Sequence, residues 1–295
     1  MSPVSPDDPY ERKRVKVLDA EMAYIEAGEG DPIVLLHGNP ATSYLWRNVI
    51  PQLESLGRCL APDLMNSGAS DDIPGGGCRY RDHIPYLDAW FEAVGATENA
   101  FFVLHDWGAA LGFNRVSRFP GQAIGLAYME SMVRPRLWTD MPEDRVAQFK
   151  TLRGEAGLQM VMEDNFFVET MLFERGIVRD LSEAEKEAYR KPTQDPQKRR
   201  QTHQWACEIP FEGEPQDNYE IVKRYSDFLR ASENLPKLFI NCEYGHALAG
   251  AARDFCRTWP NQEETTIPTR HYGQEDCPDE IGRAVAAFIQ KVRGK

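Results

Sequence analysis

Apolar positions along this chain follow two patterns that alternate. Ile33-Val-Leu-Leu36, Phe101-Phe-Val-Leu104 and Ile124-Gly-Leu-Ala-Tyr128 are short, nearly continuous apolar runs, as expected for strands buried on both faces. Arg58–Ala61, Lys237–Asn241 and Glu264–Ile267 also have strand character. Between these runs the period changes to that of a helix. Leu111, Phe113, Val116 and Phe119 form one stripe, and Ile281, Ala284, Val285, Phe288 and Ile289 form another in a last helix that begins at Pro278. Tyr44–Leu56 is expected to be helical with an interruption at Pro51. Asp82–Val94 is expected to be a helix with Pro85 in its first turn, and Asp217–Ala231 a further helix. Arg14–Leu18 and Glu21–Ile25 alternate as exposed strands do, which predicts an edge hairpin turning at Asp19-Ala20.

From Ser131 to about Pro215 only helical patterns appear. Met160–Met171 has a dense apolar face, Ser182-Glu-Ala-Glu185 is a capping box, and Lys191–Arg200 is a polar connector broken by proline. Strands alternating with helices predict an α/β fold with a mostly parallel sheet covered on both sides. Its site is expected at the C-terminal ends of the strands. Residues 1–130 and 216–295 are expected to form the core, and 131–215 an inserted helical lid.

The stretch Phe101-Phe-Val-Leu-His-Asp106-Trp-Gly-Ala-Ala-Leu-Gly112 leaves almost no room for a loop between strand and helix. Asp106 is therefore expected on a sharp strand-to-helix turn, the layout of a nucleophile elbow. Gly108 gives that turn room, whereas Leu104 is larger than the glycine of the serine version. A plain helix cap is the other reading of Asp106. Asn39, Glu130 and His271 also fall at predicted strand ends, which a parallel sheet brings to one edge. His37, His83, His105, His203 and His246 are expected to be satisfied loop histidines.

Composition narrows the possible partners. With 295 residues, 42% apolar and 27% charged, the chain matches an ordinary globular protein. Its net charge of −12 disfavours nucleic acid and anionic lipid. No apolar run approaches the roughly 20 residues that span a bilayer. Residues 1–10 lack the basic start and apolar core of a signal peptide and suit a short extended arm. The six cysteines are scattered, with no C-x-x-C pair, which favours free thiols in a cytoplasm over disulfides or a zinc site. No metal is expected.

His37-Gly-Asn-Pro40 with Ser43-Tyr-Leu-Trp-Arg47, the elbow from Val103 to Phe113, Tyr128-Met-Glu130, and His271-Tyr-Gly-Gln-Glu-Asp-Cys-Pro-Asp-Glu-Ile-Gly282 closely resemble the haloalkane dehalogenases of the α/β-hydrolase superfamily. Phe255-Cys-Arg-Thr-Trp-Pro-Asn-Gln262 is similar to that family too. The resemblance implies an eight-stranded core, a helical cap and no cofactor. It also implies a small halogenated alkane and water as substrates, a halide ion released, and a monomer or homodimer. Asp106 is then the nucleophile, His271 the base and Glu130 the triad acid. Trp107 and Asn39 bind halide through their side chains, and their backbone N–H groups form the oxyanion hole.

Several residues depart from the family pattern. Met65-Asn-Ser-Gly68 stands where a glycine-rich turn is expected, Gln204-Trp-Ala-Cys207 replaces Ser-Trp-Pro, and Tyr244 replaces a proline. Tyr272-Gly273 replaces a more apolar pair, and Cys277 stands where Ser would cap the last helix. Glu243, also past a strand end, rivals Glu130 as the acid. An epoxide hydrolase would need a pair of lid tyrosines, whereas Tyr189 is the only tyrosine between Ser131 and Pro215. Asn165–Leu172 resembles the coelenterazine-type luciferases, a third reading on the same fold.

Overall fold

The computed structural model describes residues 4–294. Eight strands form one sheet: β1 (Lys13–Val17), β2 (Ala20–Ala27), β3 (Pro32–Leu36), β4 (Arg58–Pro62), β5 (Ala100–His105), β6 (Ala123–Met129), β7 (Lys237–Cys242) and β8 (Gln262–Ile267). Their spatial order is β1-β2-β4-β3-β5-β6-β7-β8. β1 and β2 pair antiparallel, and β2 pairs antiparallel with β4. From β4 through β8 all neighbours run parallel.

Successive strand residues point to opposite faces, so each continuous apolar run feeds two cores. Val34, Leu36, Phe102 and Leu104 enter one core, and Ile33, Leu35, Phe101 and Val103 enter the other. The first core is closed by α1 (Tyr80–Ala93), α2 (Asp106–Arg118) and α7 (Gln216–Ala231). The second is closed mainly by α10 (Pro278–Val292). Two short helices, α8 (Ala251–Cys256) and α9 (Gly273–Asp276), flank β8 in sequence.

Between β6 and α7 lie α3 (Glu143–Leu152), α4 (Glu155–Asp164), α5 (Glu183–Arg190) and α6 (Arg200–Glu208). Among the described residues this segment contains no strand, as expected. Only isolated bridges involving Arg136, Phe211 and Glu214 occur near its ends. The Ser182 capping box is formed, with Ser182 Oγ accepting from Glu185 N–H. No helix among the described residues is long and apolar enough to cross a membrane. All six cysteines are free thiols. Cys277 takes the N-cap position of α10 without a side-chain cap bond.

Four local expectations need correction. Tyr44–Leu56 is not an α-helix but two 3₁₀ turns, Ser43–Trp46 and Ile50–Gln52. Pro51 withholds a donor there, and Asp63 anchors the start by accepting from both N–H and Oγ of Ser43, at 2.8 and 2.6 Å. α1 begins two residues earlier than expected, with Asp82 accepting from Arg79 N–H at 3.0 Å, so Pro85 lies in its second turn. The apolar face over Met160–Met171 is split at Asn165, which is left-handed (φ 52°) and donates to Thr193 Oγ1 at 2.9 Å. A π-helix, Phe167–Glu174, follows it. The hairpin turns at Leu18-Asp19, one residue before the expected place. The N-terminal arm lacks regular structure over residues 4–12 and is held by Tyr44 Oη donating to Pro6 O and Arg47 Nε donating to Ser5 O. The arm's first three residues lie outside the described residues.

Candidate active site

β5 ends at His105 and α2 starts at Asp106, so the turn between them has no spare residue. Asp106 has φ 50°, the left-handed region that a non-glycine residue occupies only under constraint. A Cβ at position 108 would collide with the carbonyls of Leu36 and His37, which is why glycine follows two residues after Asp106. Leu104 fits because Gly112, six residues after Asp106 in α2, leaves space for its side chain. The Asp106 carboxylate does not simply cap its own helix. Oδ1 accepts from the backbone N–H of Asn39, past the end of β3, at 2.8 Å. Oδ2 faces His271 Nε2 at 3.5 Å.

Glu130 follows β6 and is also left-handed, with φ 44°. Its Oε2 accepts from the N–H groups of His246 and Ala247, both at 2.9 Å, and its Oε1 accepts from Leu248 N–H at 3.1 Å. His271 Nδ1 lies 3.0 Å from Oε2. A side chain at position 245 would strike Glu130 Oε1, so Gly245 lets this loop wrap the carboxylate. Glu243, the rival acid, is exposed to solvent. Its N–H donates to Ile267 O.

These contacts decide the protonation states. Burial opposes the charge on Glu130, but the hydrogen bond from His271, the nearby imidazoles and the Ala247 N–H outweigh it, holding the carboxyl down at about 2. Burial also opposes a charged His271. The carboxylates of Asp106 and Glu130 on its two sides reverse this and raise it to about 9. Asp106 is lowered, because His271, His105 and the N–H of Trp107 outweigh its burial. Together these contacts favour charge on both carboxylates and a proton on the imidazole between them.

His246 departs from its expected role as a plain loop histidine. Its ring stacks on His271 with centroids 4.6 Å apart and planes 23° apart, and it lines the cavity. Burial and the neighbouring His271 cation push it down to about 4, so it stays neutral. His105 does fit a structural role, with Nε2 2.9 Å from the His271 carbonyl. Among the described residues, Glu130, His246 and His271 place potential metal-binding atoms within 4.8 Å of one another. The Glu130 oxygens already take three N–H donors and the His271 ring, so this set fits a metal poorly.

Asp106, Trp107, Asn39, Glu130 and His271 border one cavity of about 330 Å³. The 131–215 segment supplies apolar side chains to the same cavity, among them Phe149, Leu152, Phe166, Phe167 and Met171. The Trp107 ring is held between Tyr80 and Trp205, with centroids 5.4 and 5.3 Å away. Asn39 Nδ2 donates to Thr202 O at 3.0 Å, which leaves its second amide hydrogen available. Tyr272 Oη donates to the Asn39 carbonyl at 2.8 Å and so is itself engaged. Tyr189 does not reach the cavity, because its hydroxyl donates to Glu275.

Known proteins resemble this chain over almost all of its length. Residues 31–278 match the model of the alpha/beta hydrolase fold family. A haloalkane dehalogenase of Sphingobium indicum is 46% identical over 287 residues, covering 96% of each chain. The coelenterazine h 2-monooxygenase of Renilla reniformis is 38% identical, covering 95% of this chain and 91% of its own. The crystal structure of a haloalkane dehalogenase from Bradyrhizobium elkani superposes with a TM-score of 0.91 at 35% identity, over 96% of this chain and 99% of the other. The match runs over nearly the whole length of the chain in both sequence and structure, and the chain belongs to the haloalkane dehalogenases of the α/β-hydrolase superfamily.

Proposed function

We propose that the protein hydrolyses haloalkanes to an alcohol, a halide ion and a proton. The observation that carries this reading is the division of labour within the Asp106 carboxylate. Oδ1 is tied to a backbone N–H, while Oδ2 faces the cavity beside His271. In the first step Oδ2 forms a bond to the halogen-bearing carbon, and the carbon–halogen bond breaks with its electron pair leaving as halide. The Trp107 indole N–H and the free Asn39 amide hydrogen receive the halide in a cavity lined mostly by carbon. The second step hydrolyses the alkyl ester. Alkylation removes the negative charge of Asp106, so His271 loses one of the two carboxylates that raise it and becomes a better proton acceptor. It takes a proton from water, whose oxygen attacks the ester carbonyl carbon. Negative charge then builds on Oδ1, already seated against the Asn39 N–H, with the Trp107 N–H beside it. Collapse expels the alcohol and regenerates the carboxylate, with one proton passing to solvent. Glu130 orients the imidazole and stabilises its cation.

In this reading residues 1–130 and 216–295 are the core and 131–215 the cap whose apolar side chains keep bulk water from the alkylation step. The six free thiols fit a reducing compartment. Release of bromide from 1-bromobutane tests the proposal. The wild type releases bromide and protons in equal amounts, and Asp106→Ala releases neither; sustained release by that variant contradicts it. The Renilla relative makes coelenterazine oxidation the second reading, tested by light emission under oxygen.

A further inference from the structure

One wall of the active-site cavity carries a cation that the dehalogenation of a neutral alkane does not use. Arg136 lines the cavity together with Asp106, Trp107 and His271. Its backbone is clamped, with its N–H donating to Pro210 O at 3.1 Å and its carbonyl accepting from Glu212 N–H at 2.9 Å. Its guanidinium makes one hydrogen bond, from Nη2 to Ala247 O at 2.6 Å. That carbonyl belongs to the loop that wraps Glu130. Asp140, an acidic residue of the same cavity, is already spent, because it accepts from Arg134 Nη2 and from Leu137 N–H, both at 2.9 Å. Glu130 is committed to His271 and three N–H groups. Among the described residues no carboxylate lies within ion-pair distance of Arg136. Arg145 lines the same cavity and also has no ion-pair partner among the described residues.

Burial works against the charge of Arg136, yet a guanidinium stays protonated in proteins. Arg136 is half-buried, and a cation partly withdrawn from water with no carboxylate bonded to it is costly to hold. Its unused N–H donors form a planar fork that suits a carboxylate. The rest of the cavity, with Phe149, Phe166, Phe167 and Met171, suits a hydrocarbon chain. The cavity thus combines a nucleophile, an apolar channel and a cationic patch.

We propose that this cavity takes haloalkanes whose far end carries a carboxylate, the ω-haloalkanoates, with Arg136 as the residue that binds the carboxylate and Arg145 beside it. This rests on the dehalogenase reading above and narrows its substrate class. The chemistry is unchanged. The Asp106 oxygen bonds to the terminal carbon, halide leaves with the electron pair, and water releases an ω-hydroxyalkanoate and a proton. Arg136 touches only the carboxylate and determines specificity.

The test compares bromide release from 6-bromohexanoate and 8-bromooctanoate with release from 1-bromohexane, in the wild type, Arg136→Gln and Arg136→Lys. The quantity read is the ratio of kcat/KM for the better bromoalkanoate to kcat/KM for 1-bromohexane. In Arg136→Gln this ratio falls roughly ten- to hundredfold, mainly through KM, as loss of a charged hydrogen-bond partner predicts, and Arg136→Lys falls less. Hexanoate, which has no halogen, inhibits wild-type turnover of 1-bromohexane competitively, a measurement that needs no variant to fold. A ratio unmoved by Arg136→Gln, or hexanoate without effect on the wild type, overturns the proposal while leaving haloalkane hydrolysis intact. Wild-type release from neither the bromoalkanoates nor 1-bromohexane overturns both.

Discussion

Two carboxylates at strand ends, Asp106 and Glu130, both adopt left-handed backbone. Non-glycine residues held there cost on the order of 1–3 kcal/mol each, and the surrounding contacts must offset that. For Asp106 the strain aims the carboxylate at the Asn39 N–H and His271. For Glu130 it turns the side chain into a loop that supplies three N–H donors. Glu130→Gln is therefore expected to lower turnover of 1-bromobutane by up to about 10⁴-fold, as loss of the orienting acid does in a serine triad. Glu243→Gln is expected to stay near wild type. Steady-state bromide release distinguishes the two, and the reverse order would transfer the acid role to Glu243. That Asp106, Asn39, Trp107, Glu130 and His271 gather at one cavity was legible from sequence, because strand ends, a cramped turn and family motifs all point at them. His246 was not, because its stacking on His271 depends on how the loop from Gly245 to Leu248 wraps Glu130. Arg136 was equally hidden, since nothing in its neighbours' identities says that Asp140 turns to Arg134.

At the scale of elements, the turn after β3, the segment after His271 and the 131–215 insertion meet in a buried charge network. Arg47, just after the first 3₁₀ turn, pairs with Glu275 of α9 at 2.5 Å and with Glu185 of α5 at 3.2 Å. Arg179 reaches both glutamates, at 2.8 Å for Glu275 and 2.5 Å for Glu185. Arg47 and Glu275 are fully buried, so truncating one partner leaves a charge without compensation. Arg47→Met is expected to cost about 3–5 kcal/mol in chemical denaturation; a change under ~1 kcal/mol would mean that solvent reaches Glu275 after all. The strands were read to within a residue or two because continuous apolar runs leave few other choices in a two-sided sheet. The 3₁₀ turns around Pro51 and the split at Asn165 were not. Both are set by partners distant in sequence, Asp63 and Thr193.

The whole molecule couples the site to stability through its titrating groups. Glu130 is depressed from its ordinary 4.5 to about 2, so its contribution is present above pH 4.5 and is lost as pH falls toward 2. His271 is raised from 6.5 to about 9, so its contribution is complete below pH 6.5 and is lost as pH rises through 9. Denaturation midpoints at pH 6 and pH 10 check this. The wild type loses stability between the two, and His271→Gln is expected to lose clearly less; equal losses would show that the imidazole is not held as a cation. The alternation of strands and helices was enough to read the sheet, its mostly parallel pairing and the strand-free helical segment between β6 and α7. The cavity between core and insertion was not readable, because its shape depends on where the π-helix over Phe167–Glu174 lies against the strand ends.

The central claim is that Asp106 attacks carbon and that His271 is needed only afterwards. Intact-protein mass spectrometry of His271→Gln incubated with 1-bromobutane tests it most directly. The account predicts that the protein gains one butyl group, mapped by peptide sequencing to Asp106, with one equivalent of bromide released and no further turnover. An unmodified protein, or a butyl group on another residue, would contradict it.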